Sequence, residues 1–116
     1  MGNFEVRDQV DAVRYAIDQG FTDPSRVLVQ GVSYGGYMSL MCLAQTSDVF
    51  KIAISEAPVT NWRGYDTGYT ERYLKLPHDD PLDQTDSYFL SSVTRFASSF
   101  PSEYDPKSSS PSCDRH

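Results

Sequence analysis

A chain of 116 residues has room for one small domain, which buries only about two-thirds of its unfolded surface. With 39% hydrophobic and 22% charged residues it is ordinary globular material, and no apolar run is long enough to span a bilayer. The net charge is -6 and the ten Lys and Arg residues are scattered, which leaves no basic patch for phosphates and excludes nucleic acid as an expected partner.

The opening, Met1-Gly2-Asn3-Phe4-Glu5, lacks the basic flank and apolar core of a signal peptide, so no membrane partner and a cytoplasmic location are expected. Val6, Val10, Val13 and Ile17 then form the stripe of an amphipathic helix. Asn3 is its predicted N-cap, Glu5 and Asp8 suit its positive end, and Gly20 is its predicted stop, with Phe21 as the apolar contact beyond. Thr22-Asp23-Pro24-Ser25 reads as a turn. Arg26 to Gln30 is a short β-branched run, apolar without alternation at Val27, Leu28 and Val29, which predicts a parallel strand covered on both faces.

Tyr37 to Ala44 predicts a buried helix that Thr46-Ser47-Asp48 breaks, and Phe50 to Ile54 predicts the next strand, stopped before Pro58. Helix, strand, helix, strand in this order implies an α/β fold with a parallel sheet. Cys42, set among Leu40, Met41 and Leu43, is expected to be a buried free thiol. Cys42 and Cys113 are too few for a disulfide framework and too far apart for a metal-ligand pair, so neither metal nor cofactor is expected. Beyond Asn61, Trp62, Tyr65, Tyr69 and Tyr73 recur at a spacing compatible with a helix. A loop around Pro77 and Pro81 and a helix from Ser91 to Phe100 follow. The domain is expected to occupy residues 1–103, and the serine-rich stretch 104–116 reads as a disordered tail.

Gly31-Val32-Ser33-Tyr34-Gly35 fits G-x-S-x-G. The pentapeptide alone also occurs in ordinary glycine-rich turns. Here it stands between a predicted strand and a predicted helix, the context that a nucleophile elbow requires. The tight turn is expected to exclude a Cβ at Gly31 and Gly35 and to hold Ser33 strained, with its Oγ over the sheet edge. The Tyr34 N–H then points at a developing oxyanion. A serine needs a base, and the triad order after such an elbow is Ser, acid, His. His78 precedes any suitable acid and His116 ends the tail, so both read as surface histidines and the triad reads as incomplete.

Taken together, Glu5-Val6, Asp8-Gln9-Val10, Gly20-Phe21-Thr22-Asp23, Ser33-Tyr34-Gly35-Gly36-Tyr37, Ala57-Pro58-Val59-Thr60 with Trp62, and Tyr65-Asp66-Thr67-Gly68-Tyr69-Thr70-Glu71-Arg72-Tyr73 resemble the dipeptidyl peptidase IV family of prolyl-oligopeptidase-type serine peptidases. Ser47-Asp48-Val49-Phe50 and Phe100-Pro101-Ser102-Glu103 look more like its cytosolic than its membrane-anchored members. The resemblance implies an α/β-hydrolase fold, here incomplete with a partial parallel sheet. It also implies an enzyme that releases N-terminal dipeptides ending in Pro or Ala through an acyl-enzyme. Its implied site is Ser33 as nucleophile and Tyr34 as backbone oxyanion donor, with Tyr34, Val59, Trp62, Tyr65 and Tyr69 forming the pocket for the proline ring. Spacing alone would make Trp62, Tyr65 and Tyr69 an aromatic core stripe.

Two departures stand out. Val32 replaces a tryptophan, and Glu56 replaces a small or apolar residue where a buried carboxylate would be costly. The resemblance also implies that the propeller, the second oxyanion donor and the triad's acid and histidine lie outside this sequence. Two readings follow: a segment of a dipeptidyl peptidase, inactive by itself and forming homo-oligomers through other parts, or a non-catalytic form that pairs or interferes with a full-length subunit.

Overall fold

The computed structural model describes residues 1–78 and 83–100. Helix α1 runs over Asn3–Asp18, strand β1 over Leu28–Val32, helix α2 over Tyr34–Gln45 and strand β2 over Ile52–Glu56. A 3-10 turn at Trp62–Gly64, helices α3 (Thr67–Leu74) and α4 (Ser87–Ser91), and a second 3-10 segment at Val93–Ser99 complete the described chain. The predicted tail and the Pro81 loop residue lie outside the described residues.

The α1 stripe buries Val6 and Val10, with Val13 half-buried against the core and Ile17 half-buried. The N-cap is Gly2, at φ 91°, and not Asn3, which already sits in the first turn. The reason is Glu5, whose carboxylate accepts the Gly2 N–H at 2.9 Å and draws the helix start back by one residue. At the other end Gly20 (φ 75°) takes the left-handed position, donating to the Ile17 carbonyl while Phe21 donates to Ala16. Phe21 itself stays exposed rather than buried beyond the helix end. Asp23 Oδ1 accepts from the N–H and hydroxyl of Ser25, which closes the predicted turn.

The two strands pair in parallel, with Leu28 opposite Ile52 and Val32 opposite Glu56. Both begin about two residues later than the apolar runs suggested. They are covered on one face only: Val29, Gly31, Ala53 and Ser55 turn toward α2, while Leu28, Val32, Ile52 and Ile54 are exposed. A β-branched run without alternation predicts burial of both faces, yet α1 packs on α2 and leaves the second sheet face open.

Helix α2 is the centre of the core. Tyr37, Met41 and Cys42 are fully buried among Val6, Val10, Phe50, Trp62 and Val93. The Cys42 thiol is free, and burial pushes its pKa up to about 11. The Thr46 hydroxyl donates to the Cys42 carbonyl at 2.7 Å and ends the helix where the sequence predicted.

The aromatic stretch is not one helix. Tyr65 is extended and Asp66 caps a new helix by accepting the Tyr69 N–H, so the repeat Trp62, Tyr65, Tyr69, Tyr73 runs across a break. The predicted helix from Ser91 to Phe100 is a kinked 3-10 segment, interrupted at Phe96. Among the described residues, no helix is long and apolar enough to cross a membrane.

Candidate active site

β1 ends at Val32 and α2 begins at Tyr34, so the turn between them is one residue, Ser33. Ser33 has φ 57° and ψ -118°, a strained conformation for a residue with a Cβ. Three contacts hold it there. The Ser33 N–H donates to the Glu56 carbonyl at 2.9 Å, tying the elbow to the end of β2. A Cβ on Gly31 would stand 2.3 Å from the Gly35 carbonyl carbon. A Cβ on Gly36 would stand 2.6 Å from the Glu56 oxygen.

The steric requirement expected at Gly31 is therefore present, but the one expected at Gly35 is not. A Cβ there meets nothing within 4 Å. Gly36, one residue on, lies on the α2 face that touches β2 and takes the crowding. The Ser55 hydroxyl donates to the Gly36 carbonyl at 2.9 Å and reinforces that seam.

Ser33 occupies the N-cap position of α2 but makes no side-chain cap bond, so its hydroxyl is not consumed by the helix. Tyr34 is the first residue of that 12-residue helix. Its N–H has no intrahelical acceptor and sits at the positive end of the dipole. At the neighbouring strand end Ala57 also has a positive φ, 44°, so both strands leave the sheet sharply at their carboxyl ends. Ligands of open parallel sheets gather at such ends.

Ser33, Tyr34, Val59, Trp62, Tyr65 and Tyr69 line one cleft of about 70 Å³. The structure thus brings together all six residues singled out from the sequence. Trp62 is its floor, 1% exposed, and stacks on Tyr69 with ring centroids 5.9 Å apart. Tyr65 stands edge-on to both, at 5.8 Å from Trp62 and 5.5 Å from Tyr69. Tyr34 closes the opposite side, 6.2 Å from Trp62. Tilted and edge-to-face ring pairs of this kind are favourable beyond their buried area. A wider groove of about 420 Å³ adjoins the cleft, sharing Ser33, Val59 and Tyr65 and adding Ala57, Pro58, Thr60, Asn61 and Gly64.

Several supports of this box were not legible as such. The Ser91 carbonyl accepts from Trp62 Nε1 at 3.1 Å and from the Tyr37 hydroxyl at 2.8 Å. The Ser92 hydroxyl accepts the Trp62 N–H at 3.0 Å and donates to the Tyr88 carbonyl. Burial pushes the Tyr37 phenol up to about 12. The Tyr34 hydroxyl donates to Glu5 Oε1 at 2.8 Å, and burial first, then this bond, raises its pKa well above the usual phenol range. Burial opposes ionisation of Glu5, but bonds from its own N–H, Tyr34 and Gly2, with the nearby N-terminal charge, leave its carboxyl below the usual range. In the sequence Glu5 had only the look of a residue suited to a helix dipole.

The side chains of Val32 and Glu56, the two departures, are both exposed in this structure, and the Glu56 carbonyl serves the elbow. His78 is on the surface, as expected, paired with Asp83. Among the described residues, none lining the cleft or the groove is a histidine, aspartate or glutamate.

A serine strained on a one-residue strand-to-helix turn, with unpaired helix N–H groups behind it, has the geometry of the nucleophile elbow of α/β serine hydrolases. The comparisons make this narrower. The model of the prolyl oligopeptidase family, peptidase family S9, matches residues 1–106, and the chain belongs to that family of serine peptidases. It is 52% identical over 104 residues to Dipeptidyl peptidase 8 of Mus musculus, covering 89% of this chain and 11% of that protein. It is 47% identical over 100 residues to Dipeptidyl peptidase 4 of Bos taurus, and 43% identical over 100 residues to Prolyl endopeptidase FAP of Homo sapiens. Each of these two alignments covers 86% of this chain and 13% of the relative. The chain spans only 11% to 13% of the length of these relatives.

Proposed function

We propose that this chain is part of an α/β-hydrolase catalytic domain, in a serine peptidase that releases N-terminal dipeptides with Pro or Ala in second position. The observation that carries this reading is the shared cleft: the strained serine opens directly onto a small aromatic box. A box of Trp62, Tyr65, Tyr69, Tyr34 and Val59 suits a compact ring without a donor, and the adjoining groove has room for the peptide that leads to it.

In the proposed reaction Ser33 Oγ attacks the carbonyl carbon that follows the ring. The oxyanion is met by the Tyr34 N–H and the positive end of α2. The Oγ–C bond forms and the peptide C–N bond breaks. The serine proton goes to a base and from it to the leaving amine, and water then releases the acyl group. We expect the chain by itself not to turn over a dipeptide amide, because the resemblance implies that the acid and histidine of the triad come from elsewhere. We place the protein in the cytoplasm because Ser47-Asp48-Val49-Phe50 and Phe100-Pro101-Ser102-Glu103 follow the cytosolic pattern of the family.

The test is labelling of the folded chain with a fluorophosphonate in excess imidazole, which supplies a base from solution, so that labelling reports an elbow and oxyanion donor competent to stabilise a tetrahedral centre. Ser33 is expected to be labelled, Ser33→Ala not, and a Gly-Pro amide is expected to survive both. Absence of labelling in a chain shown to be folded would remove the nucleophile assignment.

A second reading rests on a different observation. The open sheet face of Leu28, Val32, Ile52 and Ile54 and the unpaired strand edges suit a non-catalytic form that pairs with a full-length subunit. Co-expression that lowers the peptidase turnover of a full-length family member would favour it.

A further inference from the structure

Tyr34 has two jobs at the cleft that pull on one residue: its N–H faces the oxyanion position and its ring is a wall. The N–H is fixed by the helix. The ring is not, because Tyr34 is the first residue of α2 and only half-buried, with Tyr37 at 5.3 Å and Trp62 at 6.2 Å as its aromatic neighbours. What anchors its far end is Glu5 of α1, 29 positions earlier, whose Oε1 accepts the phenol proton at 2.8 Å. The carboxylate is in turn held, since Oε2 accepts the Gly2 N–H at 2.9 Å. A charged acceptor makes this bond short and strong compared with a neutral one.

We propose that Glu5 is a positioning residue for the cleft beside Ser33: its carboxylate clamps the Tyr34 hydroxyl, so that the Tyr34 ring stands as a fixed wall opposite Tyr65 and Tyr69. The clamp also turns the Tyr34 proton away from the ligand, leaving an apolar ring face toward the compact ring that the cleft admits. This deepens the functional reading above and depends on it only for the role of Ser33; the clamp itself is a separate claim.

The chain offers a direct reporter, because its single tryptophan, Trp62, is the floor of the same cleft. Acrylamide quenching of Trp62 would be measured in the unmodified chain, Glu5→Ala, Glu5→Gln, Tyr34→Phe and the double variant Glu5→Ala with Tyr34→Phe. Circular dichroism would check that each variant is folded. Glu5→Ala is expected to raise the quenching constant about twofold, Tyr34→Phe to match it, and the double variant to add nothing further. Glu5→Gln, which keeps an acceptor for the phenol, is expected to stay near the unmodified chain.

A residue that only caps α1 would behave otherwise: its loss would act equally with and without the Tyr34 hydroxyl, and Tyr34→Phe would leave the quenching unchanged. Additive effects, or quenching unchanged in both Glu5→Ala and Tyr34→Phe, would overturn the clamp. Should Glu5→Ala fail to fold, Tyr34→Phe against Glu5→Gln decides the matter. Fluorophosphonate labelling of Ser33 in the same samples, with imidazole added as the base, separates the two claims: quenching as expected without labelling keeps the clamp and removes the nucleophile, and the reverse removes the clamp alone.

Discussion

The segment from Asn3 to Glu56 and the segment from Trp62 to Ser99 reach the same cleft by different means. The first builds the elbow from backbone sterics: two glycines pressed against carbonyl groups, one backbone hydrogen bond to Glu56, and a helix that starts where the strand stops. The second builds the aromatic box from side-chain hydrogen bonds and short helical turns, with Ser91, Ser92, Asp66 and Asp86 as its fasteners. An elbow made by exclusion has no graded failure, since a single methyl group is too many. A box made by hydrogen bonds loses its members one at a time.

Substitutions can break that contrast or sharpen it. Gly31→Ala is expected to have the largest effect, costing about 3 kcal/mol or more because its Cβ falls on the Gly35 backbone, which cannot move without unseating Ser33. Gly36→Ala follows at about 2 kcal/mol, against the Glu56 carbonyl. Gly35→Ala, between them in sequence, is expected to be neutral or to stabilise by up to about 1 kcal/mol, because its Cβ meets open space in a helix. Guanidinium denaturation of the three variants measures the order, and equal losses at Gly35 and Gly31 would show that the elbow is not held by sterics.

In the box, Ser92→Ala leaves the buried Trp62 N–H without its acceptor and is expected to cost about 1–3 kcal/mol. The same denaturation series measures it, with the red shift of Trp62 emission as a second readout. A loss as large as that of Gly31→Ala would erase the distinction between the two halves.

The smallest effect is at the surface pair His78–Asp83. The hydrogen bond to His78, then those from Thr85, push Asp83 down to about 2, so its contribution is complete above the ordinary carboxylate value of 3.8 and fades as pH falls toward 2. His78 is raised above 6.5, chiefly by the same bond, so its contribution is complete below 6.5 and is lost as pH rises through the higher folded value. The pair therefore stabilises between about 4 and 6.5. His78→Asn is expected to lower Tm slightly near pH 5 and not at all near about pH 9, with a small amplitude because both groups are exposed.

Much of the elbow was legible because its physics is local. A β-branched run, a glycine-flanked serine and an apolar helix lie next to one another in the chain, and the periodicity of α1 and the burial of α2 hold up in the fold. The errors were errors of context. Gly35 carries the motif but Gly36 carries the crowding, since only the packing of α2 on β2 decides which glycine faces a carbonyl. The aromatic spacing matched a helix, yet Asp66 as a cap divides it, because a local side-chain bond to the Tyr69 N–H outcompetes continuation. The box supports were invisible for a plainer reason: Ser91 and Glu5 meet their partners across 29 intervening steps of chain, where spacing has no signal.

The central claim is that Ser33 and the aromatic box are one site. With imidazole added as the base, the comparison to make is between the rates at which two fluorophosphonates label Ser33, one bearing a pyrrolidine ring and one a straight alkyl chain. The ring-bearing probe is expected to react about tenfold faster, worth about 1.4 kcal/mol. Tyr65→Ala, a change at the exposed rim that leaves the core intact, should remove that advantage without abolishing labelling. Equal rates for the two probes, or an advantage that survives Tyr65→Ala, would contradict it.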